Sequence, residues 1–165
     1  MSVEQQHAER ETLSVEVNIP GHDPRVTTEL FRTSKAALIK RDGGRCYICG
    51  RTAEESGHPL ESHHYPVERS LAMAWDWPRF IRDAKLGSWG PHAQAFDWGS
   101  FDPKTDPYQF VDDQTVNGML LCKEDHTGKD SGIHMLPWPL WIWRKYVPEG
   151  YEIRPGKDMK HDFPA

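Results

Sequence analysis

Apolar and polar positions change their period along the chain, and the changes divide it into segments. Residues 1 to about 26 open polar, pass through the alternating stretch Leu13-Ser14-Val15-Glu16-Val17-Asn18-Ile19, and reach Pro20-Gly21 and Asp23-Pro24. This predicts a loose arm with one short edge strand. From Thr27 or Thr28 to Lys40 the apolar residues Leu30, Phe31, Ala37 and Leu38 recur at helical spacing. A threonine can cap the start and Gly43-Gly44 ends the pattern, so the segment is predicted to be a helix. Leu60 to Val67 alternates weakly and breaks at Pro66, as a short strand would. Residues 70 to 86 look helical with a break near Pro78, and Gly87 to Asp113 is rich in Gly, Pro, Asp and aromatics. Together they read as an insertion, or lid, over about 70–113.

The apolar run Val116 to Cys122 suits a buried strand, and Lys123 to His134 is polar and punctuated by glycine. Pro139 to Tyr146 reads as a short terminal helix stopped by Pro148 and Gly150. The expected organisation is an arm (1–26), one domain (27–147) and a tail (148–165), with no internal repeat. Runs of strands and helices that do not alternate regularly make the expected class α+β.

Composition narrows the class further. The chain has 165 residues, 37% hydrophobic and 27% charged, enough for one core and too apolar for wholesale disorder. No apolar run approaches the roughly 20 residues of a membrane span, and the polar start MSVEQQHAERE lacks a signal-peptide core. A cytoplasmic protein with no membrane partner is the expectation. The net charge of -5 argues against coating nucleic acid by charge alone. Lys35, Lys40, Arg41, Arg45 and Arg51 nevertheless cluster around the first cysteines, either as a solvated face or as a DNA contact.

Candidate chemistry begins with the three cysteines. Cys46 and Cys49 form a Cys-x-x-Cys whose sulfurs can both reach one tetrahedral zinc, at about 2.3 Å each. Cys122 ends the second apolar strand, and His126 follows one turn later. Cys46, Cys49, Cys122 and His126 would make a closed structural zinc site that cross-links distant parts of a small domain. Between its halves stand His63 and His64, which on a strand must point to opposite sides. One imidazole can bind a metal while its uncoordinated neighbour accepts a proton from water. Asn117 lies five residues before Cys122 and is followed by Gly118, so taken alone it reads better as a turn residue.

In combination, the order Cys-x2-Cys, His-His, Asn-x4-Cys and a downstream His resembles the HNH nuclease family, whose ββα-metal (His-Me finger) site is often held by a zinc knuckle. The opening Lys40-Arg41-Asp42-Gly43-Gly44-Arg45-Cys46-Tyr47-Ile48-Cys49-Gly50 is similar to how such domains begin. The resemblance spans roughly Ser34 to His134, and the insertion takes no part in it. It implies a ββα-metal core in which His64 is the general base, His63 binds a catalytic divalent cation such as Mg²⁺, Mn²⁺ or Ni²⁺, and Asn117 holds the base in line. His126 or His134 would be the closing histidine. The implied partner is DNA, with a protein partner in a phage or bacterial complex as a further expectation.

The chain departs from the family's commonest pattern because Asp125 occupies the usual position of the fourth zinc ligand. Either His126 completes the zinc site and His134 the catalytic metal, or Asp125 binds zinc and His126 serves the catalytic metal. The first is favoured, since histidine is the more usual partner for three thiolates. His7, His22, His58, His92 and His161 have no partner at ligand spacing and read as surface residues. The tryptophans Trp75, Trp77, Trp89 and Trp98 of the insertion could stack on bases but are better read as packing. Trp138, Trp141 and Trp143 are expected to cover the core from the terminal helix.

Overall fold

The predicted first helix forms over Glu29–Arg41 (α1), and its start is fixed by chemistry foreseen in the sequence. Thr28, in extended backbone, accepts the Phe31 N–H on its hydroxyl at 3.0 Å. The face that goes inward is not the one expected, because Ser34 and Leu38 are buried while Leu30 is 38% exposed. Arg41 turns from the end of α1 onto the backbone carbonyls of Thr115 and Gly118, at 2.8 and 3.0 Å. It thereby binds the helix to the start of the second strand. The computed structural model describes residues 27–136 together with Trp141 and Lys145. The predicted arm strand and most of the predicted terminal helix lie outside the described residues.

Two strands, Glu61–His64 (β1) and Gly118–Leu121 (β2), pair antiparallel with His63 opposite Met119 and His64 opposite Gly118. Both are shorter than the apolar runs that predicted them. Every residue of β2 is buried, whereas on β1 His63 alone is. Between the turn that carries Cys46 and Cys49 and β1 sits one helical turn, Ala53–Ser56 (α2), started by a capping box in which Thr52 and Glu55 exchange bonds. After β2 a helix not foreseen in the sequence, Lys123–Thr127 (α6), begins at Cys122. The fold is mixed α+β, and among the described residues no helix is long and apolar enough to cross a membrane.

The insertion is a second core and not an irregular cover. A 3₁₀ turn (Arg69–Ala74) leads into Trp77–Lys85 (α3), which has Pro78 in its first turn, where a missing N–H costs nothing. The short helices Gly90–Gln94 (α4) and Tyr108–Val111 (α5) follow. Trp77, Phe80, Trp98, Phe101 and Phe110 are buried against one another, edge to face at ring separations of 5.2 to 6.0 Å for Trp77 with Phe101 and with Phe110. The indole N–H groups of Trp77 and Trp98 donate to the carbonyls of Ala72 and Ala93. Packing therefore accounts for these two rings, and Trp89 stays 37% exposed. The other core joins Leu38, Ile48, Leu60 and the strand residues Met119, Leu120 and Leu121 to Trp141, whose indole donates to the Asp125 carbonyl at 2.9 Å.

Candidate metal centres

Asn117 is the joint between the two cores. Fully buried, it donates its amide to the carbonyls of Val67 and Val111, both at 2.9 Å, and accepts the Val67 N–H at 2.8 Å. Its own carbonyl accepts the Tyr65 N–H at 3.2 Å. One side chain thus fixes the chain just after β1 to the end of α5. Gly118 beside it has to be glycine, since a Cβ there would lie 2.3 Å from the Gln114 carbonyl oxygen.

The first cluster unites Cys46, Cys49, Cys122 and Asp125, with one donor atom from each lying within 4.8 Å of the others. Asp125 is fully buried, and its Oδ2 accepts from the thiols of Cys46 and Cys122, each at 3.2 Å. Cys49 and Cys122 approach to 3.7 Å, about the separation of two sulfurs on one tetrahedral zinc. Three sulfurs and one carboxylate oxygen suit zinc, and a carboxylate buried among thiols is otherwise a costly arrangement. In the absence of a cation, burial pushes the Cys122 thiol up to about 11 and raises Cys46 further, backbone hydrogen bonds opposing the rise. A bound cation reverses that preference, because coordination deprotonates a thiol outright.

This geometry corrects the assignment of His126 to the thiol site. Cys122 is the N-cap of α6, so a side chain three positions on returns to the Cys122 sulfur. The next residue is rotated by about 100° around the helix. His126 consequently faces β1, where it joins the second cluster, His63, His126 and His134. The general preference of zinc for histidine over aspartate was the weaker guide, and position along the helix the stronger.

Within the second cluster the His126 and His134 Nε2 atoms are 3.2 Å apart, and the His63 ring lies 5.3 Å and 4.9 Å from theirs. His126 presents Nε2 because its Nδ1 is held by the Glu61 carboxylate at 2.5 Å. Burial, reinforced by the neighbouring imidazoles of His126, His134 and His64, pushes His63 down to about 3. It is therefore a neutral Lewis base at ordinary pH. Glu68 stands 3.4 Å from its Nε2. Three imidazole nitrogens converging on one point suit a divalent transition metal. All three histidines line a cavity of about 280 Å³, together with His64, Arg69 and Phe31.

His64 stands outside the cluster while lining the same cavity. Phe31 stacks on its ring at 5.5 Å, and its Nε2 lies 3.8 Å from Oδ1 of Asp112. Asp112 is 1% exposed and also receives the Thr28 hydroxyl and the Arg69 Nε, each at 3.0 Å. Burial would raise its carboxyl, but His64, Arg69 and Thr28 together outweigh burial and hold it below the usual range.

Sequence reasoning missed Glu61, Glu68, Arg69 and Asp112. Glu61 alone carried a signal, since it sits two residues before His63 on a strand and so shares its face. Three of the five basic residues around the cysteines are engaged by neighbouring groups of the chain. Arg41 binds backbone, Arg45 the Gly50 carbonyl and Arg51 the Cys49 sulfur and Glu124. His58 and His92 are exposed, as surface residues would be. Compared with protein-family models, with curated proteins and with solved structures, the chain finds no significant match.

Proposed function

We propose that the chain is an HNH-type endonuclease that hydrolyses DNA phosphodiester bonds with a divalent cation, its fold stapled by zinc at Cys46, Cys49, Cys122 and Asp125. The observation that carries this reading is the division of labour on β1. His63 turns into a tri-histidine cluster while His64, one residue on, lines the same cavity uncoordinated. The succession of β1, β2 and α6, with histidines on the first strand and the helix, supports a ββα-metal core. Asn117 supports it too, since it secures the chain immediately after the histidine pair.

His63, His126 and His134 would hold the cation, which when bound supplies Lewis-acid stabilisation of charge at the phosphoryl and leaving oxygens. The remaining steps belong to the chain itself. His64 accepts a proton from a water molecule, and the water oxygen bonds to phosphorus as the bond from phosphorus to the leaving oxygen breaks. The leaving alkoxide takes its proton from solvent. Arg69 also lines the cavity, with its Nε given to Asp112.

Cleavage of supercoiled plasmid in Mg²⁺, Mn²⁺ or Ni²⁺ tests the reading. The parent protein nicks DNA, and His64→Ala reduces the rate by about 100-fold or more. Equal cutting by both proteins overturns it. A second reading is a zinc-stabilised module that binds DNA or protein without catalysis. The net charge of -5 and the internal pairing of Arg41, Arg45 and Arg51 favour it. Binding without cleavage in any metal, and one metal per chain, would select that alternative.

A further inference from the structure

Asp112 lies at the C-terminal end of α5, almost wholly buried, with each of its oxygens engaged. The Thr28 hydroxyl occupies Oδ2 and the Arg69 Nε occupies Oδ1. The third group turned toward it is His64, whose Nε2 stands 3.8 Å from Oδ1 and is buried without a hydrogen bond. That separation exceeds a hydrogen bond, and a ring movement of under about 1 Å would close it to bonding range. Phe31 lies against one face of the ring, at 5.5 Å between centroids.

A neutral imidazole carries one N–H and one lone pair. With the lone pair on Nε2, two acceptors would face each other in a buried space. With the proton on Nε2, a donor faces an acceptor. Only Nε2 is buried and unpartnered, which leaves Nδ1 to meet the cavity that His64 lines. We propose that Asp112 is a positioning residue for His64, accepting its Nε2–H and so holding the ring in the tautomer whose Nδ1 lone pair faces the cavity. A buried carboxylate beside an imidazole base fixes its tautomer and orientation, and stabilises the imidazolium formed when the base takes up a proton. The role of that lone pair as a base rests on the nuclease reading, whereas the tautomer does not.

The test is nitrogen-15 NMR of the histidine rings in the zinc-loaded protein at about pH 8, with His64 identified by the signals that vanish in His64→Gln. The parent is expected to show His64 protonated on Nε2. In Asp112→Ala the oxygen that faces Nε2 is removed, whereas Asp112→Asn keeps one there because Arg69 needs an acceptor at that position, so only the alanine variant is expected to release the ring from the Nε2–H form. Plasmid cleavage in Mg²⁺ should then fall about 100-fold or more in kcat, with KM changed less than about twofold. An Nδ1–H ring in the parent overturns the proposal, as does an unchanged tautomer in Asp112→Ala. Should that variant not fold, the tautomer of the parent decides alone. If neither protein cuts DNA, the nuclease reading falls and the ring signals still judge Asp112.

Discussion

Glu61 of β1 and His126 of α6 are joined by their side chains, the carboxylate on Nδ1 leaving Nε2 to face His134. A metal-binding histidine generally needs such a partner to fix its tautomer and ring orientation, and losing the partner costs about 10- to 100-fold in affinity. Glu61→Gln is therefore expected to weaken Mn²⁺ or Zn²⁺ binding at the histidine cluster by about that factor, measured by calorimetry. The thiol site should keep its metal. Unchanged affinity would mean that Glu61 is only a surface neighbour.

Gly132 allows the chain to turn close over α6 and return His134 to the site. Its N–H donates to the Gly128 carbonyl at 2.9 Å, and the next N–H, of Ile133, reaches the Asp125 carbonyl at 2.9 Å. A Cβ at this position would lie 2.6 Å from the His126 carbonyl oxygen and 2.8 Å from the Gly128 nitrogen, both rigid backbone atoms. Gly132→Ala must push the turn outward, at a cost of about 1–3 kcal/mol. His134 moves with it, so affinity for the second metal should fall by about tenfold or more. Thermal unfolding and metal titration together check this, and a variant with parental affinity would show that His134 is held independently of the turn.

The sheet and first helix were legible because their signals are local: a threonine cap, an apolar run and a pair of glycines. α6 was not, since Lys123-Glu124-Asp125-His126-Thr127 has no apolar stripe. Its placement depends on Cys122 at its start and on Trp141 from far along the chain. That hidden helix is also why Asp125 and His126 could not be assigned from spacing, because adjacent residues go to different clusters only once the backbone is known to be helical. The insertion disguised its order in the same way. Its aromatics meet across helices of four to nine residues, too short to display a period. Asp112 belongs to that segment, and only tertiary packing brings it beside His64.

The two candidate metal sites should part company under chelation. Cys46 and Cys122 are buried and Asp125 is fully so, whereas the histidine cluster lines an open cavity. Mild chelation is expected to strip the histidine site and leave the thiol site loaded. Cys122→Ser removes a ligand from a site whose binding free energy is folding free energy, and should destabilise the protein by about 3 kcal/mol or more. His64→Ala should leave the melting temperature close to that of the parent. Metal analysis before and after chelation, paired with melting curves, checks both. An unchanged melting temperature for Cys122→Ser would remove the zinc assignment.

His63 predicts how stability responds to acid once the histidine site has been emptied. Its folded-state value, about 3, lies below the roughly 6.5 of an unfolded histidine, with burial the main cause. Above about pH 6.5 neither state binds the proton, and His63 exacts no penalty. As pH falls below that value the unfolded chain takes up a proton that the folded chain refuses, so stability declines toward pH 3. The slope from this one group approaches about 1.4 kcal/mol per pH unit. Melting curves at pH 7.5, 6.5 and 5.5, on protein with the thiol site loaded and the histidine site stripped, should show little change over the first interval and a clear fall over the second. His63→Gln cannot take up that proton in either state, so its curve should be flatter between pH 6.5 and 5.5. Parallel losses in the two proteins would mean that the acid sensitivity arises elsewhere, and that His63 is not the desolvated imidazole its burial implies.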